Sequence, residues 1–391
     1  MGGLSVKRYY TLTVRTLSPV HIGCGEEITK IDYCYAKDSK RIYVMHPQKL
    51  FNGLQSKGIL TAFEQKLMVA DKMLSLTRFF ADQQITESEY STWAKYSYPV
   101  NNVSVENGQN GIFSFIKDAY DCPYIPGSSL KGALRTALAY SMIVNDRKRF
   151  ERIAKDVQRK IDSSNGKKPY IKDEEKTLEI AIFNTLKRKP KKDRYGNISY
   201  NDILNDCMSG LLISDSKPLS SESLCLCQKT DVDYDGETHS INLLRECIAP
   251  ETEIVFDVAI DETLCPFKAK DILDALGVQF QDYDVVFREH YHNAVKDTFH
   301  DPVQGEDTWL YLGGGTGFPM KTVMYALYED ENQAADLSAA LLDASFFRNR
   351  PGHKKFTKET GYSPKVWKCT RLHEQLYEMG LCSIQMEEKN A

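Results

Sequence analysis

The sequence predicts an α+β protein whose first half carries a basic helical insertion. Three observations point there. Polar and apolar residues alternate with period two at Tyr9–Leu17, as a half-buried strand does, and the apolar run Ile254–Ile260 reads as a second strand. Leu130, Leu134, Ala137, Leu138 and Ser141 recur at helical spacing after a glycine pivot at Gly127, the pattern of an amphipathic helix. Charge is also segregated: residues 147–194 hold 17 Lys/Arg against 8 Asp/Glu, although the whole chain has a formal net charge of −4. A local anionic partner is therefore compatible with an acidic background.

Taken in order, Tyr9–Leu17 is a strand that runs into Ser18-Pro19-Val20-His21-Ile22-Gly23-Cys24-Gly25, where proline ends the pairing and two glycines allow a tight turn. Ile31–Tyr35 and Arg41–Met45 read as a hairpin turning at Asp38-Ser39, and Gln48–Gln84 as polar helix. Ser97–Asn110 is an Asn/Gly-rich loop, and Gly111–Ala119 a strand or short helix. In Tyr124-Ile125-Pro126-Gly127-Ser128-Ser129-Leu130-Lys131-Gly132-Ala133-Leu134-Arg135, an extended segment becomes the helix noted above. Ser128 or Ser129 is expected as its N-cap. Lys131 and Arg135 stand at i and i+4 on the flank of its apolar face. Free amides, the positive end of the helix dipole and two cations together would hold a phosphate.

Residues 145–205 form the insertion, broken at Gly166 and Pro190, and Gly210–Ser216 is a short apolar strand closing on a turn. Ser240–Ile248 and Glu253–Ile260 are expected to pair around Ala249-Pro250-Glu251-Thr252, with a helix at Lys268–Leu276. Trp309–Leu312 is a strand that empties into Gly313-Gly314-Gly315-Thr316-Gly317-Phe318, with Pro319 opening a helix. Each half thus has a glycine-bearing loop at a strand-to-helix junction, which suggests internal duplication.

At 391 residues the chain has room for two or three domains. Its first ten residues lack a signal-peptide core, and no run reaches the roughly 18 apolar residues of a membrane span. Ten cysteines at irregular spacing read as reduced thiols. The cytoplasm is the expected location, and no membrane partner is expected.

The glycine loop is neither a dinucleotide fingerprint nor a Walker loop, because Phe318 stands at the third glycine position and Met320 precedes Lys321-Thr322. Gly127–Gly132 has Walker spacing but is followed by Ala133-Leu134. What Gly313, Gly314, Gly315 and Gly317 do permit is close approach of backbone to a phosphodiester, with Lys321 adding charge. His21 could act as a general acid or base, and Asp32 with a metal could activate an attacking group. Cys225-x-Cys227 with Cys207, His239 and Cys247, or His290-x-His292 with His300 on a strand face, offer metal-ligand types without a matching spacing. Buried thiols and solvent-facing imidazoles account for both sets, so no metal or other cofactor is expected. In the insertion, Tyr170, Phe183, Tyr195 and Tyr200 are interleaved with lysines, a composition suited to single-stranded RNA and also to solvated helices.

Leu17–Gly25, Tyr124–Arg135, Ile213-Ser214-Asp215-Ser216 and Leu312–Phe318 occur in this order. Together they resemble the RAMP superfamily of CRISPR-associated proteins, and the length, the insertion and the late glycine run look most like the fifth subunit of the type III-A (Csm) effector complex. The resemblance implies two ferredoxin-like (RRM-like) domains, 1–222 including the insertion and 223–391 with the Gly-rich loop. It implies a non-catalytic subunit that caps the crRNA 3′ end and assists its 3′ maturation in antiviral defence. Implied partners are crRNA, the backbone RAMP subunit and other subunits, with target RNA nearby and host trimming nucleases. RNA contacts are expected at His21, Gly23, Gly127, Ser128, Ser129, Lys131, Arg135, Gly313, Gly314, Gly315, Gly317 and Lys321. The rival expectations are an RNA endonuclease working through Asp32 or His21, and another RAMP position in the complex.

Overall fold

The structure, a computed structural model, describes residues 7–69, 74–100, 105, 111–303, 307–345, 347, 349, 351–372 and 374–389. The chain begins with β1 (Lys7–Thr16), β2 (Gly23–Ile28), β3 (Tyr33–Ala36) and β4 (Arg41–Met45). Helices α1 (Pro47–Ser56), α2 (Leu60–Met68), α3 (Leu76–Asp82) and α4 (Glu87–Tyr90) precede β5 (Ala94–Pro99) and β6 (Ile112–Phe115). The long α5 (Gly127–Asn145) leads into α6 (Arg147–Asp162), α7 (Lys172–Phe183), the short hairpin β7 (Lys191–Lys192) and β8 (Ile198–Ser199), and β9 (Leu211–Ile213). Next come β10 (Leu224–Asp233), β11 (Thr238–Ile248), β12 (Glu253–Asp261), α8 (Ala269–Tyr283), α9 (Glu289–Val295) and β13 (Thr308–Tyr311). The chain closes with α10 (Met324–Leu327), α11 (Glu331–Ser345), α12 (His353–Thr360), β14 (Val366–Leu372), β15 (Gln375–Glu378) and β16 (Leu381–Glu388).

Alternation in β1 buries Leu12 and Val14 completely, because every second side chain faces the core. On either side β1 pairs antiparallel with β12 and β16, within a five-stranded sheet ordered β13-β16-β1-β12-β9. The other large sheet runs β15-β14-β10-β11-β6-β2, and β3-β4-β5 form a third with α1–α4 packed around their own cluster. Both large sheets draw strands from either side of residue 222, and one hydrophobic cluster runs from Tyr10 to Ile384. The expected division at 222/223 therefore does not separate two cores. Strand pairing between distant parts of the chain is set by burial of shared faces, which local pattern does not encode.

One local expectation also changes. Strands β11 and β12 are strands as expected, yet they belong to different sheets. The link between them is captured by β1: the Glu251 amide donates to the Thr16 carbonyl at 2.6 Å and the Thr252 amide to Thr16 Oγ1 at 2.9 Å. The glycine loop, for its part, opens onto a one-turn 3-10 helix at Pro319–Lys321 with Pro319 at its first position as expected, and the short α10 follows. The Asp38-Ser39 hairpin and the helices within 48–84 are present. Of the loop expected at 97–110, residues 97–99 belong to β5, while 101–104 and 106–110 lie outside the described residues.

The insertion is largely helical. In α6, Phe150, Ala154, Val157 and Ile161 are buried in one stripe, with Lys148, Arg152, Lys155 and Arg159 exposed opposite.

Candidate nucleic-acid interface

Helix α5 begins at Gly127, with Pro126 at the cap position and no side-chain cap. Ser128 and Ser129 lie in the first turn, so neither is the N-cap the pattern suggested. The cap is supplied from afar, since the Gly127 amide donates to Asp215 Oδ1 at 2.8 Å. Ser216 completes the clasp: Ile125 N donates to its Oγ and its own amide to the Ile125 carbonyl, both at 2.9 Å. A Cβ on Gly127 would lie 2.4 Å from the Ser214 carbonyl oxygen, so only glycine allows this approach. A carboxylate thus already sits at the positive end of the helix.

Both flanking cations are engaged inside the protein as well. Lys131 Nζ donates to the Leu211 carbonyl at 2.7 Å, and burial lowers its pKa. Arg135 donates to Asp206 Oδ2 at 2.8 Å, lies 3.8 Å from Glu179, and stacks 3.8 Å above the Phe183 ring. These contacts fasten the base of the insertion to α5. Arg135→Ala is expected to speed amide exchange across residues 184–206 by about ten- to a hundredfold, as loss of a charge-assisted hydrogen bond worth roughly 1.5–3 kcal/mol implies. Unchanged protection there would show that the clamp carries no weight.

The structure brings the His21 motif and the glycine loop together. The Gly314 amide donates to the His21 carbonyl at 2.7 Å, and a Cβ on Gly313 (φ +78°) would lie 2.2 Å from that same oxygen. His21 is buried beside Phe115, and its Nδ1–H donates to the Glu246 carbonyl at 2.7 Å. Because that carbonyl can only accept, Nδ1 carries the proton. Burial lowers the His21 pKa, which keeps the ring neutral. Gly23 sits against the other nitrogen, where a Cβ would be 3.0 Å from Nε2.

Around this loop, beside the expected Lys321, the fold assembles three cations that sequence reasoning missed: Arg245, Lys229 and Lys368. Register across β11, β10 and β14 sets Arg245 opposite Cys227, and Asp231 opposite Lys368. Arg245 Nη1 would be 3.0 Å from a Cβ on Gly315, and the Lys368 stem packs under Gly317. Lys229 lies on the same sheet, its pKa lowered by burial and next by Lys368. Lys321 stands at the solvent edge, with its pKa lowered by partial burial and by Arg245. Asp231 pairs with Lys368 at 2.8 Å and Lys229 at 3.7 Å. Among the described residues, Arg245 and Lys321 make no side-chain hydrogen bond or ion pair. The result is a loop of mostly positive-φ glycines with surplus positive charge around it. The available signal was the alternation of Lys229 with Asp231, which gains meaning only when the register with β11 and β14 is known.

The other candidates are dispersed. Asp32 is exposed, and its Oδ2 accepts from Thr29 N at 2.9 Å and Thr29 Oγ1 at 2.5 Å, closing a turn. Cys225, Cys227 and Cys247 share one buried cluster, whereas Cys207 belongs to another. His239 pairs with Asp233 at 2.9 Å on the exposed β10–β11 hairpin. His290 and His292 lie on helix α9 rather than a strand, His290 stacking on Tyr362 and His300 on Tyr377. Of the four insertion aromatics, Phe183 is buried beneath Arg135, Tyr200 is half-buried, and Tyr170 and Tyr195 remain exposed. No helix among the described residues is long and apolar enough to cross a membrane.

The chain is 27% identical over 97% of its length to the CRISPR system Cms protein Csm5 of Streptococcus thermophilus, covering 98% of that protein. It is 25% identical over 98% of its length to the Csm5 of Enterococcus italicus, again covering 98%. Among solved structures it resembles a chain in the cryo-EM structure of a Csm–crRNA–target RNA ternary complex, with a TM-score of 0.64, 20% identity, and coverage of 96% of this chain and 100% of that one. The crystal structure of T. onnurineus Csm5 matches with a TM-score of 0.55 and 20% identity over 95% of this chain and 99% of that one. Residues 13–318 match the RAMP superfamily, and with the His21 turn, the clasped α5 and the glycine loop all inside that span, this chain belongs to that superfamily, with its resemblance within it to Csm5.

Proposed function

We propose that this chain is a crRNA-binding structural subunit of a type III-A CRISPR-Cas interference complex in the cytoplasm, one that caps the crRNA 3′ end and assists 3′ maturation without cleaving RNA. Its partners in this reading are crRNA, the backbone RAMP subunit and the other subunits, with target RNA and trimming nucleases close by. The observation that carries it is the pair of cations without a side-chain partner among the described residues, Arg245 and Lys321, set beside the Gly313–Gly317 loop. Glycine backbone and cations without acidic partners suit phosphates of any sequence, as a guide-binding subunit requires. The near full-length match to Csm5 proteins supports the assembly role. The tying of Asp32 into its own turn supports the absence of nuclease activity.

In the same reading the five-stranded sheet is a ferredoxin-like unit built from both ends of the chain. Its central order β16-β1-β12-β9, with α5 following β1 and α8 following β12, is the order in which the fourth, first, third and second strands of a βαββαβ unit lie side by side. The six-stranded sheet is taken as the second unit. Gly23 and Gly313–Gly317 remain assigned to RNA, together with Lys321 and Arg245, with Lys229 and Lys368 adding positive charge beside them; His21, buried with its ring bonded to the Glu246 carbonyl, is reassigned to holding the loop. Gly127, Ser128, Ser129, Lys131 and Arg135 are reassigned to holding the structure around the site.

The test is photocrosslinking in the assembled complex. Arg245→Ala/Lys321→Ala is expected to leave the subunit folded and to cut its crosslinks to the guide 3′ segment by about tenfold or more, as loss of two phosphate contacts implies. Crosslinking at the wild-type level, or crosslinks to the 5′ end instead, would overturn the proposal.

A further inference from the structure

We infer that the basic hairpin at residues 187–199 is a second RNA contact, one that holds single-stranded RNA by stacking a base on Tyr195 and pairing phosphates with the flanking cations. This rests on the RNA-binding reading above but uses a different surface. Residues 187–199 hold six Lys/Arg and one acidic residue. That one acid is consumed at the tip: Asp193 accepts from the amides of Tyr195 at 2.8 Å and Asn197 at 2.9 Å, and Asn197 Nδ2 adds a third bond at 2.9 Å. The Asp193 amide donates to the Asn197 carbonyl at 3.0 Å, and Gly196 takes φ +84° to close the turn. The tip is therefore an ordered turn, not a tail.

Its base is ordered too. Asn205 is fully buried, and its Oδ1 accepts from the amides of Arg188 at 2.8 Å and Lys189 at 3.2 Å while its Nδ2 reaches the Tyr200 carbonyl at 3.1 Å. The adjacent Asp206 is the residue gripped by Arg135. Lys189 and Lys191 share Asp202, at 3.9 and 3.2 Å. Lys187, Arg188, Lys192 and Arg194 have no acidic partner among the described residues. Tyr195 is 73% exposed, with the Arg194 guanidinium 4.7 Å from its ring centroid. An exposed ring with a cation over it and three further uncompensated charges nearby has the parts of a stacking platform for single strands. An isolated exposed tyrosine would not hold a base in place; this one is presented by a turn anchored at both ends.

The experiment uses the full chain and fluorescein-labelled oligouridylate of about 15 nucleotides, a length that spans one binding platform, with anisotropy read at several salt concentrations. Arg194→Ala/Tyr195→Ala is expected to weaken binding about tenfold or more, and Tyr195→Phe to bind as the wild type. Lys192→Ala/Arg194→Ala should shallow the salt dependence by about one to two units of slope. Wild-type affinity and slope in these variants would overturn the inference, and so would intact RNA binding with loss of a crosslink to another subunit, which would mark a protein contact. Arg245→Ala/Lys321→Ala run in parallel separates the two surfaces. Weakening there alone leaves the glycine-loop site standing and removes the hairpin, whereas weakening at the hairpin alone does the reverse.

Discussion

Glu246→Ala is expected to destabilise the protein by about 3–5 kcal/mol, the usual effect of stripping one partner from a buried ion pair. Glu246 is completely buried on β11. Its carboxylate is bound by Lys117 Nζ, by Tyr96 Oη at 2.8 Å, by Ser114 Oγ at 3.2 Å and by the Phe115 amide at 2.9 Å. One side chain thereby ties β5 and β6 to β11. Removal leaves the Lys117 ammonium, 8% exposed, without its counter-charge. Glu246→Gln, which keeps an acceptor but not the charge, should fall between. Because the Glu246 carbonyl also holds His21, loosening β11 is expected to weaken RNA binding at the glycine loop as well. Denaturant midpoints followed by tryptophan emission test the first effect, and a midpoint within error of the wild type would refute it.

Arg288→Ala is expected to cost a similar 3–5 kcal/mol. Arg288 lies 4% exposed in the turn that joins α8 to α9, and bonds Glu378 at 2.8 Å, Asp284 at 3.0 Å and Asp301 at 2.6 Å. Glu378 is 2% exposed and accepts further from Tyr311 at 2.6 Å. Deleting the guanidinium would strand that carboxylate in a cluster built from Trp367, Tyr283, Phe287 and Leu376. Replacing both partners, as in Arg288→Met/Glu378→Leu, should recover most of the loss, since no buried charge is then left alone. A single variant as stable as the double would contradict this account.

Much of the candidate site was legible. Glycine clusters and Pro-Gly-Ser-Ser-Leu-Lys-Gly are local strings, and the bonds that need them are short-range or sterically strict, as Gly127 and Gly313 show. What the strings did not reveal was who answers them. Lys131 and Arg135 look like phosphate ligands beside a helix N-terminus, yet Leu211, Asp206 and Phe183 take them. Of the residues with charge to spare, Lys321 closes the glycine run and was legible, whereas Arg245 carries no motif.

The sequence by itself determined the α+β class, the position of α5, the strands that alternate, the basic insertion and the family. The first four follow from periodicity, turn chemistry or charge within a few residues, and the family from the resemblance of the ordered motifs. The tertiary structure alone decided that β1 pairs with β12 and β16, that Asp215 caps α5, and that His21 meets Gly314. It also decided which cations remain free. A charge is spent or available according to the acids and carbonyls that packing brings within about 3 Å, and those partners lie tens to hundreds of residues away along the chain.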